Sequence, residues 1–388
     1  MTYKPDTLAE KYQEQRPCDP LWFSDAFARE KSLHDGSECF TMARPDPDEL
    51  SPMSEPVTPR PLSSEGDSQP TAGLPDPSSP TASTPALQGP KGLHPILGIG
   101  IYLATGIALA WILFWLGKSF FPEPVHGAKA MWQDLYGEAA VALGACLPAF
   151  LMARIEHRSV DDYGLPRKQA FGKLFWVGGL WGLAAITILL LTMRTAHVFY
   201  FGYVTLHGMR VVKFAAFWGI FFLLVGIFED FLFRGYLLFA TARWVGFWPA
   251  AAVLSCAFGA IHLPNPGEDP IGALGAAAIG FFFCLTLRRT GTLWFAVGFH
   301  AAWDWGETYL YAVPNSGTIQ PGHLLGSSFV GKEWLTGGAV GPEGSVFCFV
   351  LLILLWVMFD RIYPTAKYTV SSPAGTRAPE TFPLSILE

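Results

Sequence analysis

From residue 93 to residue 368 the chain is a succession of apolar stretches, each near the length that crosses a bilayer. A spanning helix needs about 20 mostly apolar residues, because hydrocarbon offers the backbone no hydrogen-bond partner outside its own helix. Eight stretches qualify: 95–117, 134–153, 173–193, 213–241, 247–263, 271–288, 291–312 and 344–362. They predict an all-α, polytopic helical membrane protein with about eight transmembrane helices. The fifth is short, and the fourth is long enough to tilt or project from the bilayer. Composition agrees. Only 15% of the 388 residues are charged, and 51% are hydrophobic. A soluble domain needs nearer about 25% charge to cover its surface.

The 92 residues ahead of this region have a different character. They hold 15 acidic and 8 basic residues, a net of −7, while residues 93–388 carry 17 acidic and 18 basic residues, a net of +1, so the chain's formal charge of −6 arises in the tail. Fifteen of the 31 prolines also lie there, and 44–90 is rich in Pro, Ser, Thr and Asp. Such a stretch buries too little apolar surface to offset its ordering entropy, so a disordered tail is expected over 1–92. Residues 8–15 and 21–31 read as short amphipathic helices. Residues 1–15 are polar and charged, so no cleavable signal is expected. The membrane domain is expected over 93–368, with a C-terminal tail over 369–388. No basic footprint for nucleic acid is visible. No two of the six cysteines approach C-x-x-C spacing, which argues against a zinc ribbon.

Loop charges predict an orientation. Arg154, Arg158, Arg167, Lys168, Lys173, Arg243, Arg288, Arg289, Arg361 and Lys367 fall on one side if the spans alternate. The other side has fewer cations, so both termini are expected in the cytoplasm, with the chain in the plasma (inner) membrane if it is bacterial.

The informative residues are those that lipid should reject. An acid or base at a helix centre costs about 2.5–3.5 kcal/mol on translocon scales, so each needs a partner or a task. Among the ionisable residues of the spans, the ones that stand out are Glu229, Asp230, Arg234 and Asp304, with His262 and His300. Asp230 and Arg234 stand four residues apart, which lets them pair on one helix face. Glu229 points about 100° away from Asp230 and is left free. His300 and Asp304 also share a face. Glu229 lies 16 residues before Val245, and His262 lies 17 after it. In a straight antiparallel hairpin the two face each other at similar depth. A Glu and a His can deprotonate a water, and a second His can donate to the oxyanion formed at a peptide carbonyl. The same four residues, Glu229, His262, His300 and Asp304, are ligand types that would suit a divalent metal such as zinc, although H-E-x-x-H spacing is absent.

In order on successive spans, the motifs are Glu-Asp-x-x-x-Arg-Gly, Phe-x-x-x-His and His-x-x-x-Asp. With the runs Phe-Leu-Phe-Arg-Gly-Tyr-Leu-Leu and Arg-Thr-Gly-Thr-Leu-Trp-Phe-Ala-Val-Gly-Phe-His, this set resembles the CPBP family over 210–312. That family comprises type II CAAX prenyl endopeptidases and bacteriocin-processing (Abi) membrane proteases. The resemblance implies an endopeptidase acting on a membrane-associated peptide or a prenylated protein in the lipid bilayer. It implies that Glu229 and His262 activate the water, that His300 and Asp304 support the oxyanion, and that Arg234 pairs with Asp230. Relatives usually carry Glu at the second acid, where this chain has Asp230. Asp keeps the pairing with Arg234 but has one methylene less reach. An ionised Asp304 cannot donate to an oxyanion, so it must be protonated, orient His300 or bind a metal.

Competing readings are an ion- or proton-coupled transporter and a catalytically inactive scaffold. The first should show an internal repeat, and none is evident between the two halves. Glu307 reads as the interfacial end of the seventh span, and Trp303, Trp305, Tyr309 and Tyr311 read as an interface belt. Glu268 and Asp269 read as solvated loop acids.

Overall fold

A computed structural model describes residues 93–120 and 131–370. The expected tail helices and disordered segment, and residues 371–388, lie outside the described residues. The described chain is helical. Its long elements are α1 (Pro95–Phe120), α2 (Met131–Ile155), α3 (Lys173–Thr195) and α4 (Met209–Phe231). There follow α5 (Leu237–Val245), α6 (Phe247–Ala260), α7 (Pro270–Thr290), α8 (Trp294–Trp305), the single turn α9 (Glu333–Thr336) and α10 (Val346–Ile362). One two-residue ribbon pairs β1 (Phe199–Tyr200) with β2 (Ser328–Phe329), antiparallel.

Helices occupy all eight expected stretches. Among the described residues, five segments are long and apolar enough to cross a membrane: α1, α2, α3, the continuous Met209–Val245 and α7. The helix α6 has only 14 residues and α10 has 17. The α8 helix runs on through a π-turn, Gly306–Tyr311, and carries His300, Asp304 and Glu307.

The connections gather at two ends. Backbone bonds join Leu293 to Gly164 and Lys367 to Arg288, and the Tyr368 hydroxyl donates to the Asp162 carbonyl. At that end Glu156 is buried, accepting from the hydroxyls of Tyr236 (3.0 Å) and Tyr163 (3.4 Å) and pairing with Arg243 (3.4 Å). At the opposite end, Val330 donates to the Val198 carbonyl and Gly267 to the Gly317 carbonyl. Large apolar side chains such as Trp111, Trp176, Leu180 and Ile353 point outward from the helices. That is the pattern of helices whose solvent is lipid.

Close packing fixes α8. Gly178 and Gly182 on α3 lie against the carbonyls of Phe295 and Phe299, and Gly298 lies against that of Phe175. A Cβ at any of the three has no room. This is the small-residue contact that lets helices approach in lipid. The stripe Gly272, Gly275, Ala276 and Gly280 on α7 serves otherwise: Gly275 meets the Glu343 backbone, and Gly280 makes room for Arg234. We expect Gly182→Val to cost at least about 1–3 kcal/mol by overpacking. An unchanged unfolding temperature in detergent would contradict this.

Several aromatic residues read as an interface belt are core instead. Trp303 is 1% exposed, Tyr309 2% and Tyr311 9%. The physical reason is that α8 is packed inside the bundle by its small-residue contact with α3, so its aromatic residues meet protein on every side.

Candidate active site

The site begins with a bent helix. After Phe231 the α4 backbone widens into a π-turn, Leu232–Tyr236, in which Gly235 leaves helical geometry (φ −87°, ψ −115°). The straight hairpin assumed from residue counting is therefore not the path the chain takes. π-turns recur at functional positions because the extra residue re-aims side chains. Here the turn carries Arg234 inward. Its Nη1 donates to Asp230 Oδ1 at 3.0 Å, and both side chains are essentially inaccessible. The guanidinium lies over the Phe258 ring at 4.1 Å and the Phe283 ring at 5.6 Å. Those ring faces offset part of the cost of burying a cation whose Nε and Nη2 lack hydrogen-bond partners.

Asp230 faces two ways. Its second oxygen, Oδ2, stands 3.6 Å from His300 Nδ1. The other ring nitrogen of His300, Nε2, stands 3.6 Å from Glu229 Oε2 and 3.5 Å from Asp304 Oδ2. The shorter side chain at position 230 thus still reaches the site, through His300. The ring is wedged among three carboxylates, edge-on to the Phe258 ring and tilted against that of Phe283.

The fourth group comes from the end of α6. His262 Nδ1 lies 2.8 Å from the Phe258 carbonyl, which can only accept. Nδ1 therefore carries a hydrogen toward that carbonyl, and Nε2 is the ring nitrogen that faces Glu229 Oε2, across 4.0 Å. All six residues expected at the site are therefore in one cluster. Among the described residues, no group of three or more His, Cys, Asp or Glu side chains has the arrangement of a metal cage. No chemistry below is routed through a metal.

Glu229, His262, His300 and Asp304 line a cavity of about 250 Å³. Its other walls include Asn265, Ser316 and Glu343 from the loops of the second end. Two acids on its lining were missed by the sequence reading. Glu138 lies within the second expected span, so the rule that lipid rejects acids would have found it. Glu343 sits in a Pro-Glu-Gly turn with no sequence signal. Its Oε1 accepts from the Trp303 indole (3.2 Å), and its Oε2 accepts from the Ser316 N–H (2.9 Å) and hydroxyl (2.8 Å). Glu307 is fully buried rather than interfacial, because the π-turn that continues α8 turns it into the bundle.

The loop acids have tasks beyond solvation. Asp269 caps α7, accepting from the Ile271 and Gly272 N–H groups. Burial pushes the Glu268 carboxyl up to about 7, and nearby Glu343 adds to the rise. The folded state then holds a proton that the unfolded chain releases near 4.5. Stability from this group is present below that value and is lost as pH rises through about 7. Glu268→Gln should therefore be more stable than wild type at pH about 8 and not at pH about 4. Equal unfolding-temperature differences at both would count against it.

Residues 211–306 match the family described as "Rce1-like: Type II CAAX prenyl endopeptidase Rce1-like". The match begins within α4 and ends just beyond Asp304, so it holds all six clustered residues. No curated protein matches the chain in sequence. Over residues 211–306, the segment that contains this cluster, the chain is similar to the CAAX-type intramembrane protease family, and its apolar helices of spanning length agree with that similarity.

Proposed function

We propose that the chain hydrolyses a peptide bond of a membrane-associated or prenylated protein with a water activated by Glu229 and His262. The observation that carries this is the 4.0 Å gap between Glu229 Oε2 and the acceptor nitrogen of His262. Two acceptors at that distance suit one water. With hydrogen bonds of about 2.8 Å, such a water subtends roughly 90° at its oxygen, close to its own bond angle. Glu229 takes a proton as the water oxygen attacks the carbonyl carbon. The C–N bond then breaks, and the proton passes from Glu229 to the leaving nitrogen. His300, with hydrogens on both nitrogens, is held by Asp230 through Nδ1 and directs Nε2–H to the oxyanion. Asp304 orients His300 through its charge.

The cation-rich end, with both termini, is the cytoplasmic side of a plasma membrane in this reading. The cavity is lined by loops of the opposite end. The test is cleavage of membrane peptides by purified protein in liposomes, with and without chelator, comparing wild type with His262→Ala. Wild type should cleave and retain its rate in chelator, while His262→Ala should lose about 10²-fold or more. Loss of wild-type activity in chelator, restored by zinc, would replace the glutamate-water route with a metal. Full activity of His262→Ala would overturn the assignment of that residue.

A further inference from the structure

His262 does not stand on a helix. The α6 helix ends at Ala260, and His262 lies in the turn that follows, where the Asn265 N–H donates to the His262 carbonyl (2.8 Å). The α6 helix packs mainly on α5 and α7, whereas His300 and Asp304 are carried by α8. A side chain on a loop is placed less precisely than one on a helix unless other contacts hold it. Those contacts come from a second turn on the cavity wall, 315–318. Asn315 and Thr318 exchange both backbone hydrogen bonds (2.9 Å each), and the two residues between them, Ser316 and Gly317, take positive φ (41° and 75°). That is the tight two-residue hairpin turn.

On one side this turn holds the one that bears His262. The Asn265 amide donates to the Ser316 carbonyl (2.9 Å), and the Gly267 N–H donates to the Gly317 carbonyl (3.0 Å). Gly267 and Gly317 approach so closely that a Cβ on either would meet backbone. On the other side the turn reaches Glu343. Its Oε2 accepts from the Ser316 N–H and hydroxyl, and its Oε1 accepts from the indole of Trp303, which directly precedes Asp304 on α8. Glu343 is thus a joint between the turn that bears His262 and the helix that bears His300.

We propose that Glu343 is a positioning residue for the hydrolysis, which fixes His262 and the attacking water relative to the oxyanion donor His300. This rests on the protease reading above. Glu343 acts through Ser316 and Trp303, and its task is to keep two separately carried histidines on either side of one substrate carbonyl.

The test uses the full-length protein in liposomes and a quenched-fluorescent prenylated peptide, read well below each variant's unfolding temperature. Glu343→Ala cuts both links and should lower kcat about 10²-fold, the cost of displacing a catalytic group by roughly 1 Å, with KM near the wild-type value. Glu343→Gln should fall between the two, because its one carbonyl oxygen can serve Ser316 or Trp303 but not both. Asn265→Leu cuts the joint on its other side and should also lower kcat rather than raise KM. The two changes act in series, so the double variant should lose no more than the worse single variant, whereas independent structural damage would multiply. Hydrogen exchange reads the joint without cleavage: residues 262–268 should exchange faster in Glu343→Ala, because their turn loses its tether through Ser316. Wild-type kcat in Glu343→Ala, or a multiplied loss in the double variant, would overturn the positioning role and leave the protease reading standing. No cleavage by wild type would sink the protease reading. Faster exchange at 262–268 would then uphold the joint, and unchanged exchange would overturn both. If Glu343→Ala does not fold, Glu343→Gln and Asn265→Leu carry the same test.

Discussion

Glu229→Ala should abolish peptide cleavage while leaving a folded, membrane-inserted protein. A general base in position contributes about 10²–10⁴-fold, and here the same carboxylate also holds the water and returns the proton. The loss should therefore lie at or beyond the upper end of that range and appear in kcat. Stability should move little. Glu229 lines the cavity, and keeping its carboxylate beside Asp304 costs free energy that nearby His300 only partly offsets. An unfolding temperature in detergent equal to or above that of wild type, with cleavage lost, is the expected pairing. Glu229→Gln should be equally inactive, since it keeps the shape and removes the basicity. Measurable turnover by either purified variant would remove Glu229 from the centre of the mechanism.

Much of this site was legible because the bilayer makes ionisable residues conspicuous. Asp230, Arg234, His300 and Asp304 stood out in apolar runs, and their four-residue spacings marked shared faces. Glu229 and His262 were matched by counting from Val245, and they do meet. The bend between them was not legible. A π-turn follows from how Arg234 and Tyr236 are held by Asp230, Phe258 and Glu156, which are contacts between elements rather than local propensities. The role of the aromatic residues was inverted for a related reason. Trp303 and Tyr309 have the composition of an interface belt, and only the packing of α8 into the bundle decides that they are buried. Glu343 could not be found at all, since a loop acid becomes part of a cavity only through the fold that brings it there. The lengths of the spans were less legible, because apolar composition marks helices that avoid water without fixing where each one ends, and α6 and α10 stop at 14 and 17 residues.

Arg234→Met should destabilise the protein strongly, by about 3–5 kcal/mol, because it strands the Asp230 carboxylate in a fully buried position. The pair itself contributes less than that figure suggests, since both charges were desolvated to form it. The double variant Arg234→Met with Asp230→Leu tests the distinction. Two apolar side chains of similar volume should recover most of the lost stability, because Met can keep contact with the rings of Phe258 and Phe283. Activity should not return with it. Asp230 Oδ2 is the group that faces His300 Nδ1, and without it the ring loses the contact that aims Nε2 at the substrate oxygen. The expected result is a folded double variant with kcat reduced about 10²-fold, the scale of one misdirected oxyanion donor. If stability and activity recover together, the Asp230–Arg234 pair only packs the bend. If stability recovers alone, the pair is what connects the bent helix to the reacting end of His300.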